Sequence, residues 1–488
     1  MIKRIRHWLK KGRRGYDLAA PSRFHDTHFV KADNSDADTV IEAALETARN
    51  RCRYEVRNNT YARGIIETLA NDLIGTGPRL QLKTDDIAFN RTAEQRFVTW
   101  AEHCDAAGRQ DLADLLRLVM LQLCESGEAF IHVYTDPAGP AGLESLRLLA
   151  IEPDRVATPA GMIYDDKIHQ GIETDAVGKP LRYYVSKHHP GSMAAGFGAA
   201  LNEYDIVDAD RMIHLARLDR PGQTRGMPWL TPAMDLFAQL RRYTLAVIRA
   251  AETAASVSGL LESDIPLGDG ESVEEFEALE IEHDMMMTLP AGQRFNQVKA
   301  EQPVNTYDMF KREIINEIAR CINMPYNVAA ANSASYNYAS GRLDWQVYFR
   351  SLAVIRRWLA RHLLDRVLGL WLAEAVLIDP DLAAAPPVTR TLIDWVWPGA
   401  EHVDPAKEAT AQDIHLKNMT TTLAAEYAKQ GKDWRLEIEQ IADERKALSE
   451  LGIANANEGT HDTQTQPPKT DDDDDAGTGD RGRIRAVR

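Results

Sequence analysis

Hydrophobic positions along the first half of the chain change period several times. From Asn59 to Leu73 they fall at Ile65, Ile66, Leu69 and Leu73, a helical spacing. It stops at "GTGPRL", where Gly75 and Gly77 suit a helix end and Pro78 forbids continuation. "RLQLKT" then alternates in the manner of a strand. Two more helical stretches follow, over about 86–105 and 110–126. After them "EAFIHVYT", "LESLRLLAIE", "MIYDDKIHQGIE" and "LRYYVSK" read as strands, some parted by turns at "DPAG" and "AVGKP". Residues 55–220 are expected to form an α+β region with antiparallel pairing.

The second half is more helical. Thr231-Pro232 predicts a helix start, Thr as N-cap and Pro at the first helical position. Leu236, Leu240, Tyr243, Val247 and Ala251 then recur at helical spacing up to Gly259, about 27 residues or roughly 40 Å. Residues 260–304 form a compact insert with a short acidic helix, "GESVEEFEALEIEH", and a strand-and-turn region, "MMMTLPAGQRFNQVKA". A second helix runs from Tyr307 to Ile322 with Phe310, Ile314 and Ile318 on one face, and Pro325 stops it. A third starts near Ser340 and continues through Leu343, Val347, Leu352, Ile355, Leu359, Leu363 and Leu370. Beyond Pro386-Pro387 come "IDWVWPG", a helix start at Asp404-Pro405, and helical segments to about residue 451. The polar N-terminal 50 residues read as a flexible arm and the tail from 453, with its Asp471–Asp475 run, as disordered.

Composition narrows the class. At 488 residues the chain needs several subdomains, and its 44% hydrophobic and 27% charged residues are those of a globular protein. The apolar runs fall far short of the roughly 18–20 residues of a membrane span. The start, "MIKRIRHWLKKGRRGY", has seven Lys/Arg in its first fourteen residues but no secretory pattern. Net charge is −16, so the chain as a whole is not built to hold nucleic acid by charge. Cys52, Cys104, Cys124 and Cys321 form no CxxC or Cys/His ligand spacing and are expected to be reduced, buried thiols.

Catalytic signatures are missing. There is no GxxxxGK[ST], HExxH or GxSxG, and "GTGPRL" fails the dinucleotide pattern at its third glycine. His188-His189 has no further ligands at suitable spacing. Glu125 and Glu128 in "CESGEAF" read as carboxylates on an exposed helix end. "HLARLDRPGQTRG" brings Arg217, Arg220 and Arg225 close to two glycines, a pattern that suits a phosphate cradle but suits a structural joint ahead of the long helix better. No cofactor is expected.

One stretch stands apart. From Ile322 to Gly341 there are twenty residues without a charged side chain, rich in Ala, Asn and Ser and carrying three tyrosines. A loop beside a passing polyanion would need this composition, because each Lys or Arg set against a phosphate adds non-specific affinity. A solvent-facing connector between helices accounts for it equally well.

Four segments together resemble the lambda-type family of bacteriophage portal proteins. They are "NTYARGIIETLANDLIGTGPRLQ" (59–81), "RMIHLARLDRPGQTRGMPWLTPAM" (211–234), "NMPYNVAAANSASYNYASGRLDWQVYFR" (323–350), and "VDPAKEATA" (403–411) with "QGKDW" (430–434). They occur in order and span roughly residues 45–455. The resemblance implies a ring, of about twelve subunits, at one capsid vertex of the virion, assembled in the host cytoplasm. Double-stranded DNA would pass through it, and a terminase large subunit would supply the force. A head–tail adaptor, the major capsid protein and a scaffold would be its other partners, with no membrane. It implies an N-terminal arm (1–50), an α/β wing (51–228), stem helices (229–258 and 305–324) around a small α/β clip (259–304), and a tunnel loop (325–340). A long channel-flanking helix returning to the wing (341–399), a helical crown (400–452) and a tail (453–488) complete it.

On that resemblance the channel loop is Asn332, Ser333, Ser335, Tyr336, Asn337 and Tyr338. Partner docking falls to the clip carboxylates Glu271, Glu274, Glu275, Glu277 and Glu280, and the wing–stem joint to Arg220, Gln223, Arg225 and Gly226. The aspartate run and the basic C-terminus are not family features. The competing readings are an unrecognised metal-dependent nuclease or hydrolase, and a scaffold that grips DNA. Metal-dependent cleavage, or a steep salt-dependent affinity for duplex, would mark them.

Overall fold

The structure is a computed structural model that describes residues 23–136, 144–162, 167–192, 203–256, 260–263, 293–296, 306–334, 336–399 and 405–453. After a short helix, α1 (Arg23–His28), comes α2 (Ala37–Asn58). Its N-terminus is capped by Asp36, which accepts from the Thr39 N–H at 3.0 Å. Ile41, Leu45, Arg49, Cys52 and Val56 recur along its buried face. The expectation of a flexible arm through residue 50 is therefore corrected: the polar residues after Asp36 form the outer side of an amphipathic helix. Asn59, in extended conformation, ends α2 and caps α3 (Thr60–Ile74), which ends at Gly75 with φ +55°.

β1 (Arg79–Leu82) pairs antiparallel with the distant β11 (Ile393–Val396). α4 (Ile87–Ala101) and α5 (Leu112–Ser126) follow where the periodicity placed them. The α+β expectation then holds. β2 (Glu128–Thr135) is the centre of a three-stranded antiparallel sheet between β3 (Leu146–Ile151) and β8 (Met212–Ala216). β4 (Ile168–His169), β5 (Ile172–Thr174), β6 (Pro180–Ser186) and β7 (Tyr204–Asp208) form a four-stranded antiparallel sheet in that order. The single strand expected over "MIYDDKIHQGIE" is thus two short ones. Gln170 and Gly171 turn between them at positive φ, and a Cβ on Gly171 would lie 2.5 Å from the Ala157 backbone nitrogen.

A 3₁₀ turn, Thr231–Ala233, leads into α6 (Met234–Ser256). Thr231 does not cap it as expected; its hydroxyl donates back to the Pro228 carbonyl at 2.7 Å. α7 (Thr306–Arg320) lies antiparallel to α6. Near one end the Cys321 thiol meets the Trp229 carbonyl at 3.2 Å, and near the other Tyr243 packs against Tyr307 and Phe310. Between the two helices β9 (Leu260–Ser263) and β10 (Gln293–Asn296) pair antiparallel, so the chain leaves and returns as neighbouring strands.

α8 (Tyr326–Ala329) is one turn long. α9 (Tyr338–Leu359) begins two residues before the expected Ser340, because Asn337 and Ser340 form a reciprocal capping box. A π-helical turn, Ala360–Leu364, joins it to α10 (Asp365–Ile378), with Ala360, Leu363 and Leu364 all buried. The main core gathers α3, α4, α5, β2, α6, α7, α9 and α10 around residues such as Leu69, Trp100, Leu116, Phe237, Ile318, Tyr348 and Trp371. A smaller cluster, with Phe130, Ile151, Tyr183 and Met212, lies between the two larger sheets.

The chain divides into two compact units, residues 1–401 with 429–431, and residues 402–428 with 432–488. The second contains α11 (Pro405–Lys417), α12 (Leu423–Lys429, whose last residue falls to the first unit) and α13 (Trp434–Glu450), and α13 buries no side chain. Cys52, Cys104 and Cys124 are buried and Cys321 is half-buried, all as free thiols. Burial pushes the Cys52 and Cys104 thiols up to about 12. No helix among the described residues is long and apolar enough to cross a membrane.

Candidate functional site

The segment between β8 and α6 is built around a buried carboxylate. Glu128 stands at the start of β2 and is fully buried, not on an exposed helix end as expected. The reason is Gly127, whose left-handed φ of +87° ends α5 and turns the next residue inward. Arg49 of α2 pairs with Glu128, and Arg225 reaches the same oxygen at 2.6 Å. The other oxygen takes His214 Nε2 at 2.9 Å and the Gly226 N–H at 3.1 Å. Burial alone would raise this carboxyl. Arg225, Arg49 and His214 outweigh burial and hold it well below the usual carboxylate range.

Arg225 is itself enclosed. Its guanidinium donates to the carbonyls of Val156 (3.0 Å), Pro153 (3.1 Å) and Gln170, and lies 5.4 Å from the Phe130 ring centre. Gly226 and Gly127 approach backbone to backbone: a Cβ on Gly226 would lie 2.2 Å from the Gly127 oxygen. Gln223 closes the loop, accepting from the Asp219 and Arg220 N–H groups and donating to the Arg217 and Arg225 carbonyls. Arg220 donates to the Ser35 carbonyl at 3.1 Å, and Thr224 binds Asp38 of α2. Arg217 pairs with Asp219 and stacks over Trp229. The three arginines thus turn to three different partners and do not converge on a phosphate-sized point.

The neutral stretch has two physically different halves. In the first, Ile322, Met324, Asn327 and Ala329 are buried, so burial accounts for the missing charges there. In the second, residues 331–334 are exposed, Tyr336 is half-buried and Asn337 is exposed. The polar residues of this half make local turns. The Asn332 N–H reaches the Asn327 carbonyl at 3.0 Å, and its side chain accepts from the Ala334 N–H at 3.0 Å. Ser333 offers its carbonyl to the Tyr336 N–H, and Asn337 caps α9. Ala331 sits at φ +48°, a region that L residues rarely adopt. Ser335, the Tyr338 side chain, and Glu271, Glu274, Glu275, Glu277 and Glu280 lie outside the described residues.

His189 gains neighbours that the sequence did not suggest: Glu152 and Asp154 offer ligand atoms within 4.8 Å of it and of each other. The group reads as an ion-pair cluster. Arg53 pairs with Asp154 at 2.5 Å and with Glu152 at 3.3 Å. The Gly191 N–H donates to His189 Nδ1 at 2.9 Å, which leaves the proton of a neutral ring on Nε2, the nitrogen nearest the carboxylates. That tautomer offers them a donor, where a cation would need a lone pair.

A family model described as phage portal protein, lambda family, matches residues 25–356. A probable portal protein of Halomonas phage phiHAP-1 is 26% identical over 496 residues, covering 96% of this chain and 93% of the relative. Among solved structures, a chain in the neck of a native GTA particle computed with C12 symmetry is 13% identical with a TM-score of 0.48, over 80% of this chain and 97% of that one. An HK97 family phage portal protein from Corynebacterium diphtheriae is 15% identical with a TM-score of 0.28, over 78% of this chain and 99% of that one.

Proposed function

The chain belongs to the lambda family of phage portal proteins, and from that membership we propose that its copies form a ring at one capsid vertex, through which double-stranded DNA is packaged and ejected. On this reading the protein is a conduit without catalysis of its own, and a separate terminase hydrolyses ATP. The parts follow the chain. Residues 51–228 are the wing, α6 and α7 the stem, 259–304 the clip, 325–340 the tunnel loop and 341–399 the long helix returning to the wing. The helical segments of 400–452 are the crown.

The observation that carries the reading is the exposed half of the neutral stretch. Residues 331–334 are exposed, lie between α7 and α9 along the chain and carry no formal charge, as a bore that must let a polyanion slide requires. The buried joint at Glu128, Arg225 and Gly226 ties α2, the sheets and the approach to α6 into one rigid piece, suited to bearing load between wing and stem. The clip carboxylates are assigned to terminase and adaptor docking on family grounds.

Electron microscopy of the purified protein tests the ring first. Rings of about twelve copies with an open channel are expected; a monomer that stays monomeric beside its scaffold would overturn the reading. The loop is tested with Ser333→Lys and Ala334→Lys, whose parent side chains hold none of the turn hydrogen bonds described above. Normal ring assembly with impaired packaging is expected. Normal packaging by both variants would remove the loop from the channel.

A further inference from the structure

Among the described residues, the exposed part of the loop is tied down by its own short-range hydrogen bonds and by one cation from elsewhere. Arg312 of α7 lies 5.1 Å from the ring centre of Tyr326 and 6.0 Å from that of Tyr336. Tyr326 stands where the loop enters, at the first residue of α8, and Tyr336 stands where it leaves, just before the cap of α9. We propose that Arg312 is the positioning residue of the loop, its guanidinium held between the rings at entry and exit.

Three observations support this. The turn at Ala331 has the wrong hand for alanine, so local preference does not hold the loop in place by itself. A guanidinium is planar and weakly hydrated, and can lie against an aromatic face on either side, which an ammonium does less well. The neighbouring cation of α7 is treated the same way: the Lys311 ammonium lies 5.2 Å from the Tyr61 ring and 5.7 Å from the Tyr307 ring. Two of the three cations of this helix, Lys311 and Arg312, thus lie against aromatic rings, and Arg320 is exposed in its last turn. A covered Arg312 would anchor the loop without presenting a bare cation beside it. The proposal rests on the channel reading for the loop's purpose, but the contact itself is testable without it.

The test is amide hydrogen exchange on the full-length protein in its purified oligomeric state, read at Asn332, Ala334 and Tyr336. Arg312→Gln and Tyr336→Leu should each speed exchange about two- to fivefold, the size of a partly exposed cation–π contact. The double variant should show no more than either single one. Tyr336→Phe keeps the ring and should match the parent, and Arg312→Lys should fall between. The melting temperature should not move, because the contact lies outside the core; if Arg312→Gln misfolds, Tyr336→Leu and Tyr336→Phe carry the comparison. Unchanged exchange in Tyr336→Leu, or single effects that multiply in the double variant, would overturn the proposal. Failure of the channel reading would appear separately, as normal packaging by Ser333→Lys and Ala334→Lys.

Discussion

Glu128 draws its partners from three distant parts of the chain: Arg49 in α2, His214 in β8, and Arg225 with Gly226 ahead of α6. A fully buried carboxylate is tolerated because each oxygen has a charged or N–H donor, and removing the charge leaves buried Arg225 without a paired carboxylate and Arg49 with only Asp154, at 3.5 Å. Glu128→Gln should therefore destabilise the protein by about 3–5 kcal/mol, measured by denaturant unfolding. The same group sets an acid limit. In the unfolded chain it titrates near its ordinary 4.5, whereas the fold holds it well below that value. Its stabilisation is then complete above pH 4.5 and is lost as the pH falls below it. A stability–pH profile should drop on that side in the parent and flatten in the variant; equal slopes would show that other carboxylates set the limit.

At the scale of elements, the junction between the loop and α9 rests on one residue. Asn337 accepts from the Ser340 N–H at 2.9 Å, and Ser340 answers through its hydroxyl. Further along, Tyr348 donates to Asp72 at 2.9 Å, and Arg356 donates to the carbonyls of Asp72, Leu73 and Pro398. α9 is therefore fixed to α3 through its second half and held at its start by the cap. Asn337→Ala should cost about 1 kcal/mol, confined to the first turn. It should appear as faster amide exchange at Ser340 with an unchanged melting temperature. A global loss of stability would mean that the cap supports more than its own helix.

At the scale of the molecule, charge separates a conduit from a DNA-binding scaffold. One copy carries a net −16, and in the proposed ring that charge would be multiplied, so acidic groups facing a bore would repel DNA. The purified protein should hold duplex DNA weakly at about 0.15 M salt, and log affinity should fall against log salt with a slope shallower than about −2. Filter binding across a salt series measures both. Tight binding with a steep slope would favour the scaffold reading and point to the basic N-terminal residues.

Much of this protein was determined by its sequence alone. Helices such as α4, α5 and α7, the α+β region and the helix end at Gly75 follow from local periodicity and from glycine's access to positive φ, properties of neighbouring residues. The family was legible too, because its motifs are ordered along the chain. What only the tertiary structure decided depends on residues far apart. Glu128 looks like any surface carboxylate until Gly127 turns it inward toward arginines 79 residues before it and 97 after it. β1 finds β11 more than 300 residues away, a pairing that carries no local signal. The neutral stretch shows both limits. Its lack of charge was plain, yet burial explains one half and exposure marks the other. No one-dimensional pattern separates the two, because alanine, asparagine and serine suit a buried turn and an exposed loop alike.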